Sequence, residues 1–414
     1  MSNSEGAYLG IDISSRSTVL SIYKSNMEEP ATVSTVLGEE NYSIPTVLAK
    51  RLGMGQWFFG DEAVLKSRVK EAVLVEDLYN LALANENVFL DGEDYAARDL
   101  MVIFFNKLFS IPGPMAAMGE IEKLVICVPQ ISIQVMELMN FVVAKLKIDS
   151  KKLMIIDRNE CFYYYALSGK PELFLYNVAL FDYSGTNMIS CVMNRNQATR
   201  PQLITLDVVN HGDITENKDV LFDEIIADTF GSKLFSSVYL VGDGFDGDWM
   251  KESLSRLCKG RKVFLGKNLY SKGACYGGYI KDGKRDWPFI FIGDNDLKLN
   301  LSIKILDKNV MKFFTLIDAG ESWYDAKGEC EVILDGEPEF EVYIQRPESR
   351  EAHTEVLELT DLPKRENRTT RLRIEARPIS DVDVSIVITD LGFGEISPSS
   401  GKSWEHTISL KGVK

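Results

Sequence analysis

The sequence predicts a duplicated α/β protein followed by an all-β sandwich domain. Three observations carry this prediction: an apolar hairpin that occurs twice, strand and helix patterns that alternate after each copy, and strict period-2 alternation in the last third of the chain. The chain has 414 residues, of which 45% are hydrophobic and 26% charged, as in ordinary globular domains. A mainly disordered chain and a single small binding module are therefore excluded.

The repeated hairpin marks the start of each half. Residues 7–23 read as an apolar strand that contains Asp12, a short turn and a second apolar strand, and residues 178–193 repeat this pattern around Asp182. Superposing Asp12 on Asp182 needs no gap, and it also aligns a serine two residues further on in each copy. We therefore expect one hairpin at the start of each of two related halves.

The segments after each hairpin alternate between helix and strand periodicity. After the first copy the patterns are a helix near 96–110, a strand at 124–128 and a helix with a 3.6-residue apolar period over 135–146. After the second copy they are a helix at 221–230, a strand at 236–241, a helix near 248–258, a strand at 262–265 and a helix near 269–280. These patterns predict a first lobe over 1–170 and a second, reduced lobe over 171–285.

The remaining residues, 286–414, have a different pattern. Apolar residues alternate with polar ones over 297–305, 340–344, 372–376 and 382–388, and prolines and glycines separate these runs. Alternation with period 2 is typical of strands that bury one face. The tail is therefore predicted to be an antiparallel β-sandwich.

Charge and composition narrow the function classes. The chain has 46 Lys plus Arg against 61 Asp plus Glu, a net charge of −15, which opposes binding to nucleic acid or to an anionic membrane. The six cysteines form no CxxC pair and the first residues contain no apolar leader, so we expect reduced thiols and a cytoplasmic location. Three widely separated histidines give little basis for a zinc site or a histidine-based triad.

Two short segments resemble a known family. GIDISSRST at 10–18 and FDYSGTN at 181–187 resemble the two phosphate loops of the actin-like and seventy-kilodalton heat-shock chaperone ATPases. Further segments follow in that family's order: IPTVLA at 44–49, FGDEA at 59–63, VICVP at 125–129, IIDRNECFYYYAL at 155–167, YLVGDG at 239–244 and GACYGG at 273–278. The resemblance implies a duplicated actin-like (ribonuclease H-like) ATPase core with a reduced second lobe, and a sandwich similar to the chaperone peptide-binding domain.

The resemblance also implies a site for ATP or ADP with Mg²⁺ between the two lobes. Asp12 and Asp182 would be the metal-side carboxylates, and Asp157 would be the acid near the attacking water, with Glu160 in its place if the alignment slips by three residues. The turns would contact the nucleotide because hydroxyls and backbone N–H groups bind phosphate oxygens. The implied contact residues are Ser14, Ser15, Arg16, Ser184, Gly185, Thr186, Gly242, Asp243 and Gly244.

Several departures from the family leave the function open. Ser184 and Thr186 replace glycines of the second loop, and no lysine lies between Lys70 and Lys107, where the chaperones carry a catalytic lysine. The stretch between Thr186 and Gly242 is too short for the lobe that grips the adenine base in the chaperones. One hypothesis is a chaperone-like protein, at most a weak Mg-dependent ATPase, that binds ATP and a polypeptide partner through its sandwich. The other is a pseudo-ATPase adaptor or scaffold.

Two further motifs have alternative interpretations. GDGFDGD at 242–248 matches GxGxxG after a strand, which is the pattern of a dinucleotide-binding turn, and it fits a calcium loop less well. No acidic residue ends the next strand to bind a ribose, so the dinucleotide interpretation is disfavoured. The aromatic run at 162–165 is either a ligand-stacking wall or packing between a helix and a sheet, and packing is favoured.

Overall fold

The computed structural model describes residues 6–34, 41–111, 120–324, 326–349, 351–380 and 382–409. The chain divides into two compact units. Unit 1 comprises Met1–Asn194 and Leu206–Trp287, and unit 2 comprises Arg195–Thr205 and Pro288–Lys414. Among the described residues, no helix has both the length and the apolar character needed to cross a membrane.

The first half of unit 1 begins with the hairpin predicted at 7–23. Its strands are β1 (Ala7–Ile13), β2 (Ser17–Tyr23), β3 (Ala31–Thr32), β4 (Ile44–Pro45), β5 (Leu48–Arg51), β6 (Trp57–Phe59), β7 (Ala72–Val75), β8 (Asn87–Leu90), β9 (Glu93–Ala96), β10 (Ile121–Val128) and β11 (Leu153–Asp157). Its helices are α1 (Gly60–Arg68), α2 (Leu78–Leu83), α3 (Ala97–Leu108), α4 (Ile133–Lys145) and α5 (Arg158–Ser168).

The main sheet of this half has the order β11-β10-β1-β2-β3, with β4 also paired to β2. β1 is antiparallel to β2 and parallel to β10, and β10 is parallel to β11. All seven residues of β1 are buried, as expected for a central strand covered on both faces. Two smaller sheets, β6-β5-β7 and β8-β9, complete the half.

The second half of unit 1 repeats this strand order. Its elements are β12 (Asn177–Ser184), β13 (Asn187–Asn196), β14 (Gln202–Asp213), α6 (Lys218–Phe230), β15 (Phe235–Val241), α7 (Glu252–Leu257), β16 (Lys262–Leu265) and α8 (Leu269–Lys281). The last two residues of β13 and the first four of β14 fall within the residues assigned to unit 2. The order is β16-β15-β12-β13-β14, with β12 antiparallel to β13 and parallel to β15, and β15 parallel to β16. The strands that carry Asp12 and Asp182 thus have the same neighbours in the same directions.

Helix α8 packs unusually closely against the first half of unit 1. A Cβ atom on Gly273 would lie 2.1 Å from the carbonyl oxygen of Cys161 in α5. A Cβ atom on Gly10 in β1 would lie 2.1 Å from the carbonyl oxygen of Ser271 in α8. Glycine is therefore required at both contacts, because a side chain would collide with backbone. This packing brings the N-terminal turn of α8 near the ends of β1 and β12.

Unit 2 is built from two four-stranded sheets. In chain order its strands after β17 (Phe289–Phe291) are β18 (Asn300–Asp307), β19 (Val310–Ile317), β20 (Gly328–Ile333), β21 (Glu339–Gln345), β22 (Ala352–Glu358), β23 (Arg371–Pro378), β24 (Asp383–Gly392) and β25 (Ser403–Ser409). The sheets have the orders β19-β18-β21-β22 and β20-β23-β24-β25, and side chains from both form one apolar core. Antiparallel sheets that share a core in this way form a β-sandwich.

Candidate functional site

The two hairpin aspartates occupy equivalent positions in the two sheets of unit 1. Asp12 lies opposite Cys127 of the parallel strand β10, and Asp182 lies opposite Val241 of the parallel strand β15. Both aspartates are buried. A buried carboxylate is costly unless it is paired or hydrogen-bonded, so the partners of these two residues decide what the site can do.

A single arginine lies between the two carboxylates. Arg158 donates from Nε to Asp12 Oδ1 at 3.2 Å and from Nη2 to Asp12 Oδ2 at 3.3 Å, which is a bidentate pair. Its Nη1 lies 3.7 Å from Asp182 Oδ2. The guanidinium thus bridges the two halves of unit 1 and supplies a positive charge between their aspartates.

Tyr270 and Ser184 complete the hydrogen bonding of Asp182. The Tyr270 hydroxyl, from the first turn of α8, donates to Asp182 Oδ2 at 2.8 Å, and the Ser184 hydroxyl donates to Asp182 Oδ1 at 2.5 Å. The Arg158 guanidinium also lies 4.8 Å from the centre of the Tyr270 ring, a cation–π contact. The cluster is therefore held by α5, α8 and both hairpins.

The ionisation of the cluster follows from burial and from Arg158. Burial raises the pKa of Asp12 above its usual value of 3.8, and Asp182 adds to the rise, while Arg158 opposes it. Burial disfavours the charge of Arg158, but the carboxylates, with Asp12 first, raise the pKa of the guanidinium overall. Burial raises the pKa of the Tyr270 hydroxyl well above 10.0. The phenol therefore stays a hydrogen-bond donor.

These residues do not fit a Mg²⁺ ion. A metal held by Asp12 and Asp182 would need the space between their carboxylates, and the Arg158 guanidinium lies there with hydrogen bonds to Asp12. In the part of the chain that the structure describes, no group of three or more His, Cys, Asp or Glu side chains is arranged to hold a metal ion. The metal assignment of Asp12 and Asp182 stays a prediction, and the geometry opposes it.

The second turn, residues 184–186, has its donors engaged by carboxylates of the chain. The Ser184 hydroxyl donates to Asp182, the Gly185 backbone N–H donates to Asp243 Oδ1 at 2.7 Å, and the Thr186 hydroxyl donates to Asp213 Oδ1 at 2.7 Å. A phosphate would have to replace these bonds and approach three carboxylates, which repel it. Three donors of this turn are therefore already bound within the chain, although the Arg16 guanidinium also lies against Gly185.

The first turn is closed by its own hydrogen bonds. Ser14 donates from its hydroxyl to the carbonyl oxygen of Ser17 at 3.1 Å and also accepts from the Ser17 backbone N–H at 3.3 Å. Arg16 is exposed, and its guanidinium crosses to the second turn: a Cβ atom on Gly185 would lie 2.1 Å from Arg16 Nη1. Ser15, between Ser14 and Arg16 in the sequence, is partly buried. The two turns thus meet through Arg16 and Gly185.

The predicted catalytic acids have structural partners. Asp157 is buried and caps α5, because its Oδ1 accepts the Glu160 backbone N–H at 2.8 Å. Glu160 is also buried, and its Oε1 pairs with Lys281 Nζ at 2.8 Å. Both carboxylates therefore stabilise unit 1, and their roles near an attacking water stay predictions.

The turn after β15 packs against the second hairpin. A Cβ atom on Gly242, which has a φ of +103°, would lie 2.3 Å from the Tyr183 carbonyl oxygen, and one on Gly244 would lie 2.4 Å from the Tyr183 ring. Asp243 turns back to accept the Gly185 N–H. The turn leads into a short 3₁₀ helix, and α7 begins only at Glu252. A dinucleotide turn opens directly into a helix, so this context does not match.

Sequence reasoning missed Arg158, Tyr270 and Tyr79. Tyr79 in α2 is buried, and burial raises its pKa while the charges of Arg158 and Asp12 also act on it. It lies in the segment that the resemblance aligns with the one where the chaperones carry a catalytic lysine. Arg158 is the first residue of α5, and the partial positive charge at the start of a helix repels a cation there. An arginine at this position of the sequence could therefore have indicated that carboxylates lie nearby.

The aromatic run at 162–165 is part of the core. Phe162, Tyr163 and Tyr164 are buried, and Tyr163 and Tyr164 pack against Trp287 with ring centres 5.8 and 6.0 Å apart. Tyr165 packs edge-on against Tyr239 at 5.6 Å. These contacts support the packing interpretation.

Comparison with known proteins finds two families. Residues 29–294 match the C-terminal model of a family of unknown function (DUF5716), and residues 296–410 match a domain of unknown function (DUF8552). No curated protein matches the chain. The first match covers well over half of the chain.

Proposed function

The chain belongs to the DUF5716 family of unknown function, and from the geometry of unit 1 we propose that it is a pseudo-ATPase adaptor. In this proposal unit 1 is a divergent actin-like core that serves as a scaffold, and the β-sandwich of unit 2 binds a polypeptide partner. The repeated strand order β11-β10-β1-β2-β3 and β16-β15-β12-β13-β14 supports the duplicated core that the resemblance implies.

The observation that carries the proposal is the Arg158 guanidinium between Asp12 and Asp182. This cation is part of the chain and pairs with both carboxylates, so it joins the two halves of unit 1. Mg²⁺ could bind between Asp12 and Asp182 only if the Arg158 guanidinium moved out of its partly buried position. That movement would break its bidentate pair with Asp12. A fixed scaffold follows more directly from this geometry than a nucleotide-driven cycle.

The second turn supports the same proposal. Three of its donors are bound to Asp182, Asp213 and Asp243, so these carboxylates accept hydrogen bonds that the resemblance assigns to phosphate oxygens. ATP brings additional negative charge, so binding would require at least part of this network to rearrange. The ATP-dependent chaperone hypothesis stays a prediction. The effect of ATP and Mg²⁺ on the melting temperature distinguishes it from the adaptor proposal.

The test is the melting temperature of the whole protein with and without millimolar ATP and Mg²⁺. A ligand at a hundred times its dissociation constant adds about 2.7 kcal/mol, which is a rise of several degrees. If the protein is an adaptor, ATP and Mg²⁺ should raise the melting temperature of the wild type no more than they raise that of the Asp12→Asn variant. A rise in the wild type that Asp12→Asn abolishes would contradict the proposal and favour the ATP-dependent protein.

A further inference from the structure

The β18–β19 hairpin of unit 2 presents an apolar edge strand. β19 is at the end of the sheet β19-β18-β21-β22, and among the described residues it pairs only with β18. Val310, Met311 and Phe313 are 63%, 54% and 60% exposed. Exposed apolar strands with a free edge are sites where another strand pairs.

The opposite edge of the same sheet is β22, and it is also free. Within the described ranges β22 pairs only with β21, and its Val356 is 53% exposed. Each strand of this sheet is antiparallel to its neighbours, so β19 and β22 run in opposite directions. A β22 strand from another copy would therefore continue the sheet at β19 as one more antiparallel strand.

The two edges carry opposite charge. Residues 300–317, which hold β18 and β19, contain three lysines and one aspartate, whereas residues 339–358, which hold β21 and β22, contain six glutamates and two arginines. If two β19 edges pair symmetrically about Lys312, the two lysines lie opposite each other and repel. A β22 edge, with its excess of glutamates nearby, attracts the lysines of a β19 edge instead. Such complementarity selects the partner and its register.

One register satisfies both faces of the sheet. Lys312 lies opposite Ile305 on the face toward the core, and Glu355 lies opposite buried Val342 on that same face. Lys312 Nζ pairs with Asp307 Oδ2 of its own hairpin at 2.6 Å, and both side chains are exposed, so Glu355 of another copy can join this pair. Placing Lys312 opposite Glu355 puts Met311 opposite Val356 on the outer face. The pairing then matches charge with charge and apolar with apolar, which are the favourable cross-strand combinations.

We propose that copies of this chain assemble head to tail, with β19 of one copy pairing antiparallel with β22 of the next. The contact joins two different edges, so it is heterologous and can add further copies, as an open row or as a closed ring. The proposal rests on the proposed function only in treating unit 2 as the part that binds a polypeptide, and it names a second copy as that partner. It does not involve the Arg158 cluster.

The test is a charge swap followed by sedimentation velocity of the full chain at increasing concentration. The wild type should show a sedimentation coefficient that rises with concentration. Lys312→Glu and Glu355→Lys should each raise the dissociation constant about tenfold or more, because each opposes like charges in the register. A mixture of the two variants, and the double variant, should assemble again.

Two controls make the result specific. Lys364→Glu changes an exposed lysine of unit 2 outside both edges and should assemble like the wild type. Val356→Lys alters the apolar pair without touching Lys312 or Glu355, and it should weaken assembly even if a charge variant fails to fold by circular dichroism.

A wild type that stays monomeric at all concentrations would overturn the proposal. So would a closed dimer that persists in Glu355→Lys, because that would indicate symmetric β19 pairing. Failure of the mixed variants to assemble, with both folded, would also overturn it. None of these outcomes bears on nucleotide binding, so the adaptor proposal is tested separately.

Discussion

At the scale of single residues, Arg158 determines the chemistry of the cluster in unit 1. It is the first residue of α5, and Asp157 directly before it caps the helix, so the backbone of Arg158 is fixed. From this position its side chain reaches the aspartates of both hairpins. One side chain thus takes the place that the resemblance assigns to a metal ion.

Replacing Arg158 by alanine should destabilise the protein strongly near neutral pH. The substitution leaves Asp12 and Asp182 buried and without their cation, and breaking a buried ion pair in this way costs about 3 kcal/mol. The free energy of unfolding from urea titration measures the loss. Arg377→Ala, which removes an arginine that is 73% exposed, is the matched control and should change it by less than about 0.5 kcal/mol.

The cost of Arg158→Ala should shrink as the pH falls. The folded pKa of Asp12 is above 3.8, so the stability from this group is fully present below 3.8 and is lost as the pH rises through the folded value. Arg158 lowers the pKa of Asp12, so its removal raises this pKa further. The stability that is lost as the pH rises is therefore larger in Arg158→Ala than in the wild type. The difference in unfolding free energy between the two proteins should therefore grow with pH, and a difference that grows toward acid pH would contradict this account.

At the scale of elements, the close contact of α8 with α5 and β1 holds the cluster together. It fixes Tyr270 in the first turn of α8, where its hydroxyl reaches Asp182. The contact depends on Gly273 and Gly10, because a Cβ atom at either position would lie 2.1 Å from a backbone oxygen. Backbone on both sides leaves no flexible side chain to move away.

Gly273→Ala should therefore destabilise unit 1 although alanine favours helices. Overpacking against backbone costs about 1–3 kcal/mol, more than the gain in helix propensity of about 1 kcal/mol. Thermal or urea unfolding measures the effect. Gly55→Ala, at a glycine with nothing within 4 Å of the added atom, is the control. Equal stability of the two variants would show that α8 does not pack as described.

The elements also show which features the sequence predicted. The hairpins around Asp12 and Asp182 have clear apolar strands with a short turn, and β18, β21, β23 and β24 have strict alternation, so their positions followed from the pattern. β19 was missed because VMKFF is apolar on both faces, which hides the period of 2. Apolar residues on its outer face are unexpected for a sandwich strand, and they are part of the proposed contact.

At the scale of the whole molecule, the sequence pointed to Asp12 and Asp182 but not to Arg158 and Tyr270, which bind them in the folded chain. Asp213 and Asp243 are distant in sequence from the turn at 184–186, and only the fold brings their carboxylates to its donors. In the sequence the turn resembles a phosphate loop through its hydroxyls and Gly185. Whether its donors are available is a property of tertiary packing, which no short motif encodes.

Arg158 lies between Asp12 and Asp182, where the resemblance would place a metal ion. The most direct measurement is titration of Mn²⁺, a paramagnetic substitute for Mg²⁺, into the whole protein with and without ATP, with the free ion followed by electron paramagnetic resonance. We expect the wild type and Asp12→Asn to lower the free ion equally in each condition, because only weak surface carboxylates of the protein, and ATP itself where it is present, take up the ion. A stoichiometric site in the wild type that Asp12→Asn removes would contradict it.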